Sequence, residues 1–570
     1  GAVSSTLRSQ FTKETTLFND FRIDWKRQFG GHFVNVLGGF RMSSFSYNNS
    51  NMVGYNNDQD KMPNMSMSLQ YKEAGGTSDK WVNLAYYLNA DYNYQNKYFL
   101  NIGTTMEASS RFGKEASEGI KFAGVKWGLF PSVQLGWLMS SEKWFNVKGI
   151  DYLKLTAGYE ESGNDNVDYY AARTYFRNLR FMKEATALKL ANIQNPTIQW
   201  ETNHRFNVGL QTNLLNNRLA LGVEYFYGKT TNLLTRKPVS DITGLPYMWA
   251  NDGALKNSGV EANVNAVLVN TRNWKWDAGF SVGHYKNEIT ELPDGSLNYI
   301  TTYALDANGN KDLSTAKTIH GYTSSIYGKN NILTAVGSAA GVFYGYQTAG
   351  VFASDAEAKA AGLKYPTGLV QNPYRDFKAG DVRFVDQNGD GWISEADMVQ
   401  IGDPNPDIYG NIFTNLTWKN LTLSLDFKYS LGNDIYNYQR SQLESANGIY
   451  NQTAAVVNRW KYNGQVTDMP RTMASTSEEW VNNERFSDRW IEDGSYLKLK
   501  KVRLTYKFPV NLSWLQGLSV YGEATNLFTV TKYLGNDPEV SAGNSVLYQG
   551  IDTGMLPKNR SFNLGVTINL

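Results

Sequence analysis

The chain has 570 residues and a formal charge of +2, and this near balance gives no reason to expect nucleic acid as a partner. The absence of cysteine excludes a disulfide framework and a thiolate metal site. Hydrophobic residues make up 41% of the chain, but none of its apolar runs approaches the roughly 18 residues that a membrane helix needs, so helical membrane spans are excluded as well.

Apolar and polar residues alternate along much of the chain, which predicts β-strands with one apolar face and one wet face. Clear runs lie at 82–94, 206–210, 219–227, 274–282 and 421–429. Many runs reach the nine or more residues that a tilted strand needs to cross a bilayer. The pattern favours a membrane barrel. A soluble β-propeller or β-helix is the alternative, although no repeat of fixed period is visible.

Short and long connections alternate between the predicted strands. Tight turns rich in asparagine are predicted at 95–97, 216–218, 270–273 and 419–420. Long polar segments lie at about 107–126, 160–202, 231–258, 288–410, 431–495 and 527–560. Successive connections of an up-and-down barrel fall on opposite rims, so the alternation predicts short periplasmic turns and long external loops.

The strand count also favours a large barrel. About 13 strands are predicted from Trp81 to a closing strand at 561–570, and a hairpin at 17–26 and 32–42 precedes them. The stretch 43–80 has no consistent assignment. Met65, Met67, Leu69 and Tyr71 alternate like a strand, yet that strand would place the next tight turn on the wrong rim.

Motifs spread over most of the chain resemble those of one transporter family. They are 109–113, 128–132, Asn195-Pro196 with 200–202, 257–261, 496–499, 526–528 with Tyr533, Asp537-Pro538-Glu539 and 557–570. In this order they resemble the SusC-like branch of the TonB-dependent outer-membrane transporters, the nutrient importers of Bacteroidetes.

This resemblance implies an all-β fold, an antiparallel transmembrane β-barrel of about 22 strands in the complete protein. Residues 1–570 would be the C-terminal portion of the barrel and supply roughly 15 of those strands. The plug domain would lie on an N-terminal portion outside this chain, because an open sheet of this size exposes two edges. The largest external loop would be 288–410.

The same resemblance implies active import across the bacterial outer membrane. The substrate would be an oligosaccharide or oligopeptide trapped beneath a SusD-like surface lipoprotein, and TonB would open the plug. Outer-membrane lipid would surround the barrel. A passive porin-like channel is the alternative, and a soluble carbohydrate-binding β-protein is a third hypothesis.

The segment 386–397 matches the ligand spacing of an EF-hand-type calcium loop. Ligands are expected from Asp386, Asn388, Asp390, the backbone carbonyl of Trp392, and Asp397. The last of these stands where a longer Glu is usual, which predicts weak binding. We expect a calcium ion that stiffens an external loop. The alternative is a solvated turn that binds nothing.

Signals for catalysis are weak, so we expect neither an enzyme nor an organic cofactor. The four histidines, His32, His204, His284 and His320, have no metal-site spacing, and the sequence has neither a phosphate loop nor a nucleophile elbow. Loop aromatics could grip a substrate, but a place in the interfacial girdles or packing between loops is the plainer interpretation; they are Tyr247, Trp249, Tyr344, Tyr346, Tyr436 and Tyr438. A helical turn is predicted at 354–360, between an Ser354 cap and Gly362.

Overall fold

The computed structural model describes residues 5–56, 71–181, 185–295, 298–328, 331–369, 372–510 and 514–569. The chain divides into two compact units. The first comprises Gly1–Trp144, Lys154–Val208 and Gly228–Ala254, and the second comprises Phe145–Leu153, Gly209–Tyr227 and Leu255–Leu570. Both are built mainly from β-strands, as the alternating sequence pattern predicts.

Fifteen strands within the described residues are nine or more residues long. They are β1 Thr6–Phe29, β2 His32–Tyr55, β3 Tyr71–Tyr94, β4 Tyr98–Ser109, β5 Val125–Leu138, β6 Ile150–Asn164, β7 Glu201–Leu214, β8 Leu219–Thr231, β9 Ala254–Asn270, β10 Trp274–Glu291, β11 Ile408–Trp418, β12 Leu421–Leu431, β13 Tyr496–Phe508, β14 Gly517–Thr531 and β15 Ser561–Asn569. The predicted number of roughly 15 strands is confirmed.

Shorter elements lie between the long strands. The short strands are Ile120–Phe122, Tyr175–Phe181, Ala185–Asn192, Leu234–Pro238, Tyr247–Asn251, Tyr299–Thr302, Lys317–Ser324, Ile332–Ala335, Val342–Tyr346, Thr348–Val351, Lys364–Pro366, Tyr374–Asp376, Val382–Phe384, Met398–Gly402, Asp434–Asn437, Ile491–Asp493 and Ile551–Asp552. Among the described residues, the α-helices are α1 Asp355–Ala361 and α2 Tyr438–Leu443. Turns of 3₁₀-helix span Met139–Ser141, Asp241–Thr243, Leu313–Thr315, Glu395–Asp397, Ala454–Asn458, Asp488–Trp490 and Val546–Tyr548.

In the first unit the long strands pair antiparallel in chain order from β1 to β6. The register of β1 on β2 runs without a break from the pair Thr6 and Tyr55 to the pair Phe29 and His32. The predicted tight turn at 95–97 joins β3 to β4, with left-handed φ values of 53° at Gln95 and 56° at Asn96.

In the second unit the long strands pair antiparallel in chain order from β10 to β15. The register of β12 on β13 shifts between Asp426 and Phe427, which is a β-bulge. The predicted tight turn at 419–420 joins β11 to β12, and Lys419 adopts a left-handed φ of 52° there.

The structure resolves most of the ambiguous stretch 43–80. Its first part, to Tyr55, belongs to β2, and its last part, from Tyr71, belongs to β3. Met65, Met67 and Leu69 lie outside the described residues. Tight turns therefore follow the first and third strands, which is the parity that an up-and-down sheet requires. The predicted hairpin was too short, because both of its strands extend to 24 residues.

The apolar rows of the strands are exposed. Leu88 of β3 and Leu135 of β5 are 50% and 53% exposed, and Leu564 of β15 is 90% exposed. A soluble sheet would bury such rows against a second layer, whereas a strand that faces lipid leaves them outward. Within the described residues, the helices are too short or too polar to cross a membrane.

The long connections fold into hydrophobic cores of their own. In the second unit one core contains Phe352, Phe384 and Ile393, and another contains Phe343 and Trp490. Helix α1 contributes Ala358 to the first of these cores. Its predicted caps are confirmed, since the hydroxyl of Ser354 accepts the Glu357 N–H and Gly362 has a φ of 65°. These connections are therefore folded segments with buried hydrophobic cores.

Candidate functional site

The loop 386–397 adopts the compact turn that its spacing predicts. The two carboxylate oxygens of Asp386 accept the N–H groups of Gly389 at 2.7 Å and Gly391 at 2.8 Å. Both glycines have left-handed φ values, 76° and 81°, that other residues adopt only at a cost. Asp390 in turn accepts the N–H groups of Trp392 and Leu305, each at 2.8 Å. The aspartates thus bend the backbone around themselves.

Asp397 closes the loop from its far end. One carboxylate oxygen accepts the N–H of Gln387 at 2.9 Å and the other accepts that of Ser394 at 2.7 Å. Burial raises the pKa of this carboxyl to about 6, and the charges of Asp386 and Asp390 add to the rise despite the two backbone donors. Three carboxylates therefore repel one another inside a loop that their own hydrogen bonds hold together.

The five predicted calcium ligands thus lie in one loop, but its carboxylates are also committed to backbone donors. Within the described residues no three acidic or histidine side chains converge in the manner of a metal site. The side chain of Trp392 has a separate role. It is almost fully buried and packs edge-on against Tyr374, with ring centroids 5.7 Å apart. Calcium binding remains a prediction.

A buried cation, Arg485, lies beside this loop. Its guanidinium is 4.7 Å from the ring centroids of both Tyr365 and Phe384. It donates to the carbonyl oxygens of Ile393 at 3.3 Å and Val481 at 3.0 Å. Only 5% of the residue is exposed, and this burial lowers the pKa of the guanidinium. Aromatic faces and carbonyls thus hold a charge that ties the loop 386–397 to the segment around Val481.

The loop aromatics pack against protein. Tyr344 and Tyr436 are nearly buried in the second unit. In the first unit Trp249 is also nearly buried, and its indole N–H donates to Asp168 at 2.8 Å. Of the two plainer interpretations, packing between loops is confirmed for these three rings. Tyr247, Tyr346 and Tyr438 are only partly buried.

A second charged cluster joins the connection 532–560 to strands β12 and β13. Lys428 and Lys498 lie directly opposite each other across these strands. Two like charges so placed would repel. Asp537 and Glu539 of the connection neutralise them: Lys498 donates to Asp537 at 2.9 Å and to Glu539 at 2.5 Å, and Lys428 donates to Glu539 at 2.7 Å.

Glu539 is the centre of this cluster. It is also the acceptor for the Tyr496 hydroxyl at 3.1 Å and the Lys558 ammonium at 3.3 Å. Burial by itself raises the pKa of Glu539, but hydrogen bonds from Lys428 and Lys498 outweigh burial and hold the pKa well below its ordinary value. This buried carboxylate is therefore ionised in the folded protein.

Sequence reasoning did not assign a role to this cluster or to Arg485. Asp537-Pro538-Glu539 was visible as a motif, but its lysine partners are between 19 and 111 positions away. The alternation did carry one usable signal. Lys428 and Lys498 stand on strands at positions where a long polar side chain points away from the apolar row.

Comparison with known protein families shows which family the chain belongs to. The sequence pattern of the family described as "TonB dependent receptor-like, beta-barrel" matches residues 2–397, more than half of the chain. The chain belongs to this family. TonB-dependent receptors of this family are outer-membrane β-barrel proteins, which accounts for the exposed apolar rows, and the family is not an enzyme class.

Curated TonB-dependent receptors match almost the whole chain. TonB-dependent receptor P3 of Formosa agariphila is 27% identical over 580 aligned positions, which cover 98% of this chain and 53% of that protein. TonB-dependent receptor SusC of Bacteroides thetaiotaomicron is 26% identical over 507 positions, covering 85% of this chain and 43% of SusC. The chain thus spans about half the length of the curated relatives it matches.

A solved transporter structure shares the fold. The structure of the RagAB peptide transporter matches with a TM-score of 0.75 at 21% identity, covering 99% of this chain and 56% of the matched chain. The predicted resemblance to SusC-like TonB-dependent transporters is confirmed.

The cage around Arg485 gives the first prediction. We expect Arg485→Ala to lower the local stability of the loop 386–397 by about 2 to 5 kcal/mol, because it opens a cavity between rings and leaves two carbonyls unbonded. The measurement is amide hydrogen exchange at Gln387, Gly391 and Ile393 in the detergent-solubilised protein. Arg383→Ala is the control. Arg383 is exposed, and its ion pair with Glu357, at 3.5 Å, is exposed as well and contributes little to stability. Equal exchange rates in the two variants would contradict the role of the cage.

The lysine cluster gives a second prediction. Replacing Glu539 by Gln leaves Lys428 and Lys498 without their shared counter-charge. We expect the connection 532–560 to lose about 3 to 5 kcal/mol of local stability, the usual effect of breaking a buried ion pair. Glu479→Gln is the control, because Glu479 forms an exposed pair with Lys378 at 2.8 Å, and it should change stability by about 0 to 1 kcal/mol. Hydrogen exchange across 532–560 measures both, and an unaltered connection in the Glu539 variant would refute the assignment.

The same variant has a predicted pH dependence. The pKa of Glu539 is lower in the folded protein than its ordinary value of 4.5, so its ion pairs stabilise the fold fully above pH 4.5. That stabilisation is lost as the pH falls below 4.5 through the folded-state pKa. The stability difference between the native protein and Glu539→Gln should therefore be constant near pH 7 and shrink in more acidic buffer. A difference that grows on acidification would contradict the direction of the shift.

Proposed function

We propose that this chain forms barrel wall and external loops of an active importer for oligosaccharides or oligopeptides in the bacterial outer membrane. The observation that carries the proposal is the match to the TonB-dependent receptor barrel over residues 2–397. Exposed apolar rows on the strands and folded cores in the long connections fit this role. Lipid would contact the apolar rows, and the folded connections would face the substrate.

The proposal includes partners. A SusD-like surface lipoprotein would close over the external connections, and TonB would act through a plug-bearing N-terminal portion of the same transporter. Similarity to SusC over 85% of this chain supports the lipoprotein. The likeness to RagAB, whose structure is described as that of a peptide transporter, is one of fold and does not select between peptides and glycans.

We infer that the chain has no catalytic role. Its histidines occupy structural positions: His32 bonds Tyr92 at 2.8 Å, His284 bonds the carbonyl of Asp407 at 2.6 Å, and His320 stacks on Tyr299 at 4.5 Å. His204 lies 3.3 Å from Glu161 on the strands of the first unit. Each contact supports a role in packing the sheet or its connections.

A structural calcium ion in the loop 386–397 is a further part of the proposal. Asp386, Asn388, Asp390 and Asp397 would contribute side-chain oxygens, with the backbone carbonyl of Trp392. The repulsion among the three carboxylates supports a bound cation, which would relieve it. Asp397 and Asp390 already accept backbone donors, so the site would be weak and would hold the loop without taking part in transport.

Energy dependence tests the transport proposal. Isogenic cells that carry the intact transporter, lack it, or lack TonB are given a mixture of oligosaccharides and oligopeptides, and mass spectrometry follows depletion from the medium. We expect a set of molecules whose depletion requires the transporter and stops without TonB. A passive porin-like channel predicts that the same depletion continues without TonB, and that result would reject active import.

Terbium luminescence tests the calcium site, because Tb³⁺ takes the place of Ca²⁺ and the indole of Trp392 is close enough to transfer excitation energy. We expect sensitised emission from the intact transporter that added calcium quenches and that the Asp386→Asn/Asp390→Asn variant loses. Asp306→Asn is the control, since Asp306 organises a similar exposed turn through the Asn308 and Asn310 N–H groups. Emission that is absent, or the same in all three proteins, would remove calcium from the proposal.

A further inference from the structure

A small polar cavity adjoins the cluster around Glu539. Its volume is about 230 Å³, and its lining includes Lys428, Tyr496, Glu539 and Lys558. Pro404, Pro406 and Pro538 give it rigid apolar walls. The cavity therefore presents two ammonium groups between rigid walls. It lies in a protein that we propose above to bind polar nutrients.

The neutral polar groups of the lining are already bonded to protein. Ser430 donates to Asn433 at 2.7 Å, Ser541 donates to the carbonyl of Tyr548 at 2.9 Å, and Gln549 donates to the carbonyl of Pro404 at 3.2 Å. A ligand that depended on these hydroxyl and amide donors would have to break existing bonds. They are therefore poor candidates to select the ligand.

The two lysines of the lining are different. Lys428 and Lys558 each donate one hydrogen bond to Glu539, at 2.7 Å and 3.3 Å. An ammonium has three N–H donors, so each keeps two that the described protein groups do not take. Their side chains are 42% and 52% exposed, which leaves both ammonium groups within reach of a solute.

The charge around the cavity is unbalanced. Among the described residues of the lining, Lys428 and Lys558 are cationic and Glu539 is acidic. Glu539 accepts four donors on two oxygens, so its negative charge is screened from a solute. An excess of one positive charge therefore faces the cavity, and its available donors are on Lys428 and Lys558.

The position of Lys428 makes the cavity accessible from water. Lys428 alternates with Phe427 and Tyr429 along β12, so it lies on the polar face of the strand. In a membrane barrel this polar face lines the aqueous interior. A molecule passing through the barrel would meet the cavity, whereas membrane lipid would not.

We propose that this cavity binds an oxyanion, a carboxylate or sulfate, of the imported molecule through Lys428 and Lys558. The inference rests on the proposed function, because it names the charge of the substrate. Charge-assisted bonds to two ammonium groups are stronger than neutral ones and would select acidic over neutral nutrients of the same size. Acidic oligosaccharides and acidic oligopeptides share this chemistry.

Calorimetry on the intact, detergent-purified transporter with its lipoprotein tests the proposal. The probes are trigalacturonate with its methyl ester, sulfated trigalactose with trigalactose, and triglutamate with triglutamine. We expect at least one acidic probe to bind more tightly than its neutral analogue, and the class that does so identifies the source of the oxyanion. Lys428→Gln/Lys558→Gln should weaken that binding roughly a hundredfold, because it removes two charge-assisted bonds of about tenfold each. Equal binding of each acidic probe and its analogue, or no binding of any acidic probe, would overturn the proposal.

Matched variants separate binding from folding. Lys428→Arg/Lys558→Arg keeps both charges and should retain the affinity within about threefold. Lys378→Gln removes one comparable charge outside the cavity, where the Lys378 ammonium pairs with Glu479 at 2.8 Å. We expect this variant to leave the affinity for the probe unchanged. Should the double Gln variant not fold, Lys558→Gln alone should still weaken binding, since Lys558 has the longer bond to Glu539. Unchanged affinity in that single variant and in the double variant refutes the site.

The outcome is separable from that of the transport proposal. Calorimetry needs neither TonB nor an energised membrane, so a defect confined to the lysine variants supports the cavity even where uptake is passive. The converse result is that substrate depletion requires TonB while acidic and neutral probes bind equally well. That result would reject the oxyanion site and still support active import.

Discussion

Inside a bilayer a backbone N–H or C=O has no water to bond, so a strand can cross only where neighbouring strands pair with it along the crossing. The long strands of each unit meet this requirement by antiparallel pairing in chain order. Once the ladder is fixed, side chains must alternate between its two faces. One face then carries exposed apolar rows such as that of Leu564 in β15, and the other carries residues such as Lys428. The pairing of the backbone therefore determines both the face that contacts lipid and the polar face.

The polar face also serves as an anchor for the long connections. Opposed lysines on β12 and β13 would destabilise the sheet by themselves, and Asp537 and Glu539 would be costly to bury by themselves. Together they fasten the connection 532–560 to the strands. The loop 386–397 is fastened differently, through Arg485 and its cage of rings. Connections held by such buried contacts can present a defined surface to a solute or partner, which loose loops could not do.

The two charged features of the connections differ in how far sequence could predict them. The turn at 386–397 is local: Asp386, Asp390 and the glycines at 389 and 391 specify it within a few residues, and the structure has that turn. Whether the turn holds calcium depends on donors from elsewhere, including the Leu305 N–H on Asp390, and on the buried surroundings of Asp397. The partners of Glu539 and Arg485 come from distant strands and segments, and sequence spacing contains no record of which of them meet.

The sequence by itself determined the strand class, the alternation of tight turns and long connections, the caps of α1 and the family, because each depends on neighbours a few residues apart or on ordered motifs. It left 43–80 unassigned, because a strand predicted at 65–71 would have placed the next tight turn on the wrong rim, and the ends of β2 and β3 are set by their pairing. Tertiary structure alone decided that Tyr344 and Tyr436 are buried and that Lys428, Lys498 and Lys558 share one carboxylate. The physical reason is that burial and ion pairing depend on distances through space, which a polypeptide acquires only when remote segments pack together.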